Sequence, residues 1–474
     1  MPRKPSTAAL AELRAVVGNG GWLEGAQDVE SFVGDFRHLY HGSTPLVLLP
    51  RETAEVAKIL AICNRDRIAV VPQGGNTSYC GAATPDESGS QIVISMRRMQ
   101  RIRRVDADNY SMIVEAGITL AEAQAAASAA NRLFPLSLGS EGSAQIGGNL
   151  STNAGGTAVL RYGMMRDLVL GLEVVLADGR ILGALHALRK DNTGYDVKSL
   201  FIGAEGTLGV ITAACLKLFP QPADTATALV ALESPQRALE LLVRLRGAAG
   251  DQVTSFELLP RRAVELTVKH VDGVANPLSL KADWYALVEL SSPNPRQDLT
   301  SLLTDELAQA SAATTIVDAL IANSGPQAEA MWKLRESVPE AQSRHGASLK
   351  HDVSVPISAL PQLVADGSRL VEHLAPEGEV IAYGHVGDGN LHFNVSQRSG
   401  SDKAAFLARK DALEEAMFDL VESLGGSFSA EHGIGRLRAP QLARRCDPVE
   451  LAVMHDLKRA LDPNGIMNPG KVLQ

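Results

Sequence analysis

Cysteine is scarce in this chain. Cys63, Cys80, Cys215 and Cys446 stand far apart, and no two form a C-x-x-C pair. That spacing excludes a cysteine-ligated iron–sulfur cluster or a zinc ribbon built within the chain. The four read as small apolar residues bound for the interior rather than as a disulfide framework. Positive charge is not in excess either: 45 Lys and Arg face 54 Asp and Glu, for a formal net charge of −9. A nucleic-acid footprint needs clustered excess Lys and Arg, so no nucleic-acid partner is expected and any anion must be met by a local site. Long apolar runs are missing too, and none approaches the roughly 18 residues of a membrane span. The opening segment MPRKPSTAALAELRAVV reads as an amphipathic helix without the apolar stretch and cleavage site of a secretory leader, so a cytoplasmic protein is expected. There is no internal repeat and no low-complexity segment.

What is present is a chain of 474 residues, too long for one ordinary core, so two domains or one domain with a large inserted cap are expected. From about residue 45 to 220 short β-rich runs alternate with glycine-rich turns and one helix near 119–131, an α+β pattern. After Gln221-Pro222 longer helical patterns (SPQRALELLVRLRGAAG, PQAEAMWKLRESV) interleave with strands such as WYALVELSS. Near Gly425 a strand-and-turn passage leads to the helical run LAVMHDLKRALD and the glycine-punctuated tail DPNGIMNPGKVLQ, which is too apolar to be a loose extension. The expected division is 1–222, 223–424 and 425–474.

The strand IAVVP runs into Gln73-Gly74-Gly75-Asn76-Thr77-Ser78, a loop whose glycines let backbone N–H groups approach an anion. It is spelled neither G-x-G-x-x-G nor G-x-x-x-x-G-K-[ST], so the Rossmann and P-loop readings fail. A second glycine-rich stretch, Gly139-Ser140-Glu141-Gly142 through Gln145-Ile146-Gly147-Gly148-Asn149 to Thr152-Asn153-Ala154-Gly155-Gly156, suits close wrapping of an extended ligand.

Further on, VIAYGHVGDGNLHFNV reads as a hairpin. With a two-residue turn at Asp388-Gly389, His385 falls opposite His392, close enough for two imidazoles to grip one cation. With a turn at Gly389-Asn390, His385 falls opposite Asn394 and the histidines are diagonal neighbours. Asn390 and Asn394 share their face. After the β-like run GGSFS, Glu431 and His432 stand side by side at a glycine-rich turn. Two histidines plus a carboxylate with an open position is the set expected of catalytic zinc, though manganese, cobalt or iron(II) use it as well.

PQGGNTS, GSEGSAQIGGNLSTNAGG, GYDVKSLFIGAEGTLGVIT and the final NPGK together resemble the vanillyl-alcohol-oxidase type of flavoprotein. GHVGDGNLH with AEHGIG resembles the FAD-linked D-2-hydroxy-acid dehydrogenase branch of that family. The resemblance runs through most of the chain. It implies an α+β fold with an FAD-binding domain, an α+β substrate (cap) domain and a C-terminal segment packing back to complete the active site. By the same resemblance Gly74, Gly75, Asn76 and Thr77 cradle the FAD pyrophosphate. Ser140, Gly147, Asn153, Glu205, Gly206 and Ile211 line the rest, and Pro72, Ser78, Gly142, Gly148, Asn149, Gly155 and Asn468 complete the flavin contacts. The first loop lacks the histidine that binds flavin covalently in some relatives, so noncovalent FAD is implied.

His385, His392 and Glu431 are implied as metal ligands, with zinc the metal favoured, and His432 as catalytic base. Asn390 or Asn394 would hold the substrate carboxylate. Arg335 and Lys350 match residues that meet the distal carboxylate in members acting on D-2-hydroxyglutarate. Pro339 departs from that pattern, where some members carry a hydroxyl residue, which keeps D-malate or another D-2-hydroxy acid in play. The expected partners are a small dicarboxylate 2-hydroxy acid and a separate electron acceptor such as an electron-transfer flavoprotein; the assembly considered is a homodimer. The rivals are a D-lactate or glycolate dehydrogenase of the same fold and a flavin-carrying subunit without its own substrate.

Overall fold

The computed structural model describes residues 2–278 and 282–474, and the chain divides into two compact units. The first comprises the chain up to Gly156, Gly163–Gln221 and Glu431–Gln474; the second comprises Thr157–Tyr162 and Pro222–Ala430.

In the first unit a four-stranded sheet runs in the order Trp22–Leu23, Val47–Leu48, Ile92–Ser95, Val70–Gln73. Its last three strands are parallel. Parallel strands are covered on both faces and read as unbroken apolar runs, and every residue of Ile92–Ser95 is buried. The helix Thr53–Asp66 buries Val56, Ile59, Leu60 and Cys63 in the same core as Val70, Ile92 and Ile94. A five-stranded antiparallel sheet follows, ordered Ile102–Asp106, Ser111–Glu115, Val210–Lys217, Val169–Val175, Ile181–Ala184. The helix expected near 119–131 spans Leu120–Ala129, opened by a capping box between Thr119 and Glu122. Such a box satisfies two backbone donors that a helix start leaves open. The opening helix, Thr7–Val17, buries Ala9, Leu13 and Val17 in the core. Three of the cysteines are buried, but Cys446 is only half-buried, because it ends a short surface helix.

The second unit is built on an antiparallel sheet ordered Asp318–Ile321, Asp224–Leu232, Trp284–Ser292, Val253–Pro260, Gly378–His385, Asn390–Gln397, Ser348–Leu349, with Asp352–Ser354 also pairing with Asn390–Gln397. Helices on both faces explain its apolar strands. Along Asp224–Leu232, Ala226, Ala228, Val230 and Leu232 enter one core, and Leu229 and Ala231 enter another. Residues 157–162 join this unit through Arg161, whose Nη1 donates to the Ser291 carbonyl at 2.6 Å, and Thr157, whose carbonyl accepts from Ser255 Oγ at 2.7 Å. Residues 425–430 stay with it as well. The β-like run GGSFS is reduced there to a single bridge between Ser427 and Ser354, so the segment belonging to the first unit begins at Glu431.

Candidate functional site

The glycine loops of the first unit meet one another. A Cβ on Gly74 would lie 3.4 Å from the Gly148 nitrogen, and one on Gly75 would lie 2.0 Å from the Ser143 carbonyl oxygen. Only a residue without a side chain permits that approach at Gly75. A Cβ on Gly147 would lie 2.8 Å from Ala116 Cβ, and Gly206 packs on Pro72. The loop around Glu205 is tied to the second glycine stretch by Glu205 N–H donating to the Ser151 carbonyl at 2.8 Å. It is tied to the tail by Asn468 Nδ2 donating to the Glu205 carbonyl at 2.7 Å. Ile211 lies on the adjoining strand, paired with Val174. Gly155 is buried.

Several polar groups here serve the protein itself. Asn76 Nδ2 donates to the Gly34 carbonyl at 2.8 Å, Asn153 Oδ1 accepts from Arg166 N–H at 2.9 Å, Ser78 Oγ accepts from Cys80 N–H, and the Ser140 carbonyl closes the turn to Ser143 and Ala144. Nothing lies within 4 Å of a Cβ built on Gly139, Gly142 or Gly148. Among the described residues, the buried Gln145 Oε1, Asn149 Nδ2 and Asn468 Oδ1 have no hydrogen-bond partner. A buried polar atom left unpaired costs about 1–3 kcal/mol. Three of them beside glycine-lined main chain therefore fit a large polar ligand such as FAD. Gln145 was not singled out from sequence; its only signal is its place immediately before IGGN.

In the second unit the hairpin differs from both expected registers. Tyr383 pairs with His392 and Ile381 with Asn394, because residues 386–388 coil into one tight helical turn that buries Val386 and Gly387 before Gly389 turns back at φ +83°. His385 and His392 are thus diagonal neighbours on one face, with ring centroids 5.4 Å apart. Leu391, Phe393 and Val395 point the other way into the core, which leaves Asn390, His392, Asn394 and Ser396 as a polar stripe by strand alternation.

His385 also pairs in register with Glu257 of the neighbouring strand. Glu257 is 1% exposed; its Oε1 lies 2.7 Å from His385 Nδ1 and its Oε2 accepts from Arg335 Nε at 2.7 Å. Burial alone would raise this carboxyl, but His385 and Arg335 outweigh it and hold it at about 2. A carboxylate only accepts, so the proton of this contact sits on His385 Nδ1 and the ring is turned with Nε2 away from Glu257, as outer carboxylates orient metal-binding histidines. Arg335 also lies over the Tyr383 ring, 4.9 Å from its centroid.

Asp352 pairs with His392 and accepts from Asn390 Nδ2 at 2.9 Å. Asn394 Nδ2 donates to Gln342 Oε1 at 2.9 Å. Lys350, half-buried, stands between two short strands that both pair with the hairpin. Glu257 and Asp352 were not picked out from sequence; each carries only the weak signal of a carboxylate inside an apolar strand.

The unit ends at Ala430, whose N–H donates to the Asp352 carbonyl at 3.2 Å. Glu431 and His432 open the last segment of the first unit. There the His432 ring stacks on Tyr79, centroids 4.5 Å apart at 18°. Phe36 and Arg37 pack on that tyrosine in turn.

Two family descriptions match this chain. "FAD linked oxidases, C-terminal domain" matches residues 221–472, more than half of it, and "FAD binding domain" matches residues 44–184. The chain belongs to the FAD-linked oxidase family. Within that family it is 37% identical over 467 residues to the mitochondrial D-2-hydroxyglutarate dehydrogenase of Arabidopsis thaliana, covering 98% of this chain and 81% of the plant protein. It is 38% identical over 439 residues to the Danio rerio protein of the same name, covering 93% and 80%. It is also 35% identical over 476 residues to the D-2-hydroxyglutarate–pyruvate transhydrogenase of Saccharomyces cerevisiae, covering 98% and 94%.

Among solved structures, p-cresol methylhydroxylase shares the fold with a TM-score of 0.77 at 16% identity, covering 100% of this chain and 99% of the other. Alkyldihydroxyacetonephosphate synthase does so at 0.73 and 19%, covering 99% and 85%. The expected α+β fold of the vanillyl-alcohol-oxidase type is therefore the fold of this chain. The expectation of a cytoplasmic protein is corrected: the plant and vertebrate relatives are named as mitochondrial, and overall composition and hydropathy carry no compartment address.

Proposed function

We propose that this protein oxidises D-2-hydroxyglutarate, and D-malate less well, to the 2-oxo acid with noncovalent FAD, a divalent cation of the zinc type and an electron acceptor other than oxygen. The observation that carries this reading is the polar face of the second unit, where His385 is oriented by a buried carboxylate and faces His392 at 5.4 Å. Two imidazoles on one face, one of them backed by a carboxylate, are a donor set that zinc takes. The relatives' names supply the substrate.

In this reading His385, His392 and Glu431 hold the cation. Bound FAD supplies a hydride acceptor, and a divalent cation supplies Lewis acidity, in the sense that bound water falls from about 15.7 to about 7. His432, its ring plane held by Tyr79, takes the hydroxyl proton. Of Asn390 and Asn394, the second receives the near carboxylate, since Asn390 Nδ2 already donates to Asp352 and to the Val353 carbonyl. Lys350 and Arg335 meet the distal one. Noncovalent FAD is supported by the absence of histidine from Gln73–Ser78. A separate acceptor, such as an electron-transfer flavoprotein, is supported by the lack of any cysteine pair for an iron–sulfur relay.

The test is a panel of D and L 2-hydroxy acids with an artificial electron-accepting dye, before and after chelation. D-2-hydroxyglutarate should give the highest kcat/KM, the L acids none, and chelation should abolish turnover. A higher kcat/KM for D-lactate would replace this reading with the lactate type, and no turnover of any acid would favour the flavin-carrier reading. The yeast relative adds a second reading, in which pyruvate accepts the electrons; pyruvate in place of the dye tests it.

A further inference from the structure

We infer that Glu205 is a positioning residue: its buried carboxylate holds the turn that carries Glu431 and His432 by receiving the main-chain N–H groups of Ile434 and Gly435. Glu205 was expected to serve the flavin, yet both of its oxygens are engaged elsewhere. Oε1 accepts from Ile434 N–H at 2.7 Å and Oε2 from Gly435 N–H at 2.8 Å. The residue is 5% exposed and sits at φ +49°, a backbone conformation that persists in a residue other than glycine only where its surroundings impose it. Those surroundings are visible: Asn468 Nδ2 donates to the Glu205 carbonyl and the Ser151 carbonyl receives its N–H. The clamp therefore runs from the glycine loops and the tail to the turn.

The turn is shaped to receive it. A Cβ at Gly433 would lie 2.8 Å from Glu205 Oε1, and Gly433 has φ +75°, so the glycine after His432 is explained by the carboxylate that fills the space. Successive main-chain N–H groups converging on an anion form a nest, and here the anion is built in. Cys80 supports the far side, its carbonyl accepting from Arg436 N–H at 2.8 Å and Leu437 N–H at 3.1 Å. Burial raises the Glu205 carboxyl to about 7, against the pull of the two N–H groups and of Lys471. Arg436 and Asp86 in turn act on Lys471. With His432 stacked on Tyr79, the carboxylate fixes the backbone of the turn while the tyrosine fixes the ring. What the clamp does for turnover rests on the proposed role of His432 as base; the clamp itself does not.

The experiment compares flavin-loaded full-length protein with Glu205→Gln, Glu205→Asp and Gly433→Ala near pH 8, above the Glu205 value of about 7. Three quantities are read: amide hydrogen exchange of the peptide around Ile434 and Gly435, bound flavin per chain, and kcat and KM for D-2-hydroxyglutarate. In Glu205→Gln, protection of those amides should fall by about tenfold or more, and kcat per bound flavin by about 10- to 100-fold at nearly constant KM and flavin content. Glu205→Asp, which keeps the charge, should recover part of both. Gly433→Ala should reproduce the pattern without touching the carboxylate, and with Glu205→Asp it carries the comparison if Glu205→Gln does not fold.

Unchanged exchange, or flavin lost in step with activity, would overturn the inference; the latter would return Glu205 to cofactor retention. Faster exchange with kcat unchanged would overturn it equally, since the turn would then be loose without consequence. If the unaltered protein oxidises no 2-hydroxy acid, the proposed function fails while the exchange comparison still decides the clamp.

Discussion

The two units present their chemistry differently. The first offers main chain: glycines that touch neighbouring backbone, such as Gly75 on Ser143, and buried amides such as Gln145 and Asn149, each with one atom that has no hydrogen-bond partner among the described residues. The second offers charge: Glu257 held at about 2 between His385 and Arg335, and Asp352 beside Asn390 and His392. A main-chain surface suits a large cofactor that is held, and tolerates loss of single side chains. A buried charge network depends on each member, because removing one partner strands another in low dielectric. Flavin retention and turnover should therefore be separable by mutation.

The most severe break is at the imidazoles. His385→Ala and His392→Ala should each lower turnover by more than about 100-fold and lower bound divalent metal in elemental analysis, with flavin per chain unchanged; loss of flavin in either variant would remove the division of labour. Next comes Lys350→Met, expected to cut kcat/KM for D-2-hydroxyglutarate by about 100-fold or more while D-lactate changes by less than about fivefold, since a site built for a polar group discriminates strongly against substrates that lack it. Equal losses on both substrates would show that Lys350 does not face the distal carboxylate.

Glu257→Gln should weaken metal affinity by about 10- to 100-fold, the usual effect of losing an outer carboxylate. It should also lower the melting temperature, because Arg335 loses its counter-charge. Gln145→Ala should weaken FAD binding by about tenfold, read by flavin titration of stripped protein, with metal content and substrate KM unmoved.

The smallest effect is on stability. Burial pushes the Lys471 ammonium down to about 8 from 10.5, with Arg436 adding to the shift. Below about pH 8 the cost of burying the charge is fully present. Between there and 10.5 the native state has released a proton that the unfolded chain still binds, so stability rises with pH. Between pH 8 and 9 the unaltered protein should gain about 1 kcal/mol relative to Lys471→Met, measured by urea unfolding.

Legibility from sequence followed the range of the interaction. The glycine loops, the capping box at Thr119 and Glu122, and the shared face of His385 and His392 are properties of neighbouring residues. They can be read from spacing, because backbone sterics and strand alternation act over a few positions. Even the hairpin was only half legible: the shared face held, but the coil of residues 386–388 moved the register so that Tyr383, not His385, stands opposite His392.

Other features could not be read at all. Glu257 lies 128 residues before His385, Arg335 lies 78 beyond Glu257, and Glu205 reaches Ile434 across 229. The sequence by itself determined the α+β pattern, the loops that bring main chain close together, and the polar residue types that supply donors and charge. Tertiary structure alone decided that Glu257 lies against His385 and that the Glu205 carboxylate receives the N–H groups of Ile434 and Gly435. Such pairings are set by which strands and loops the core packs side by side, and nothing in a residue's immediate neighbours records that choice.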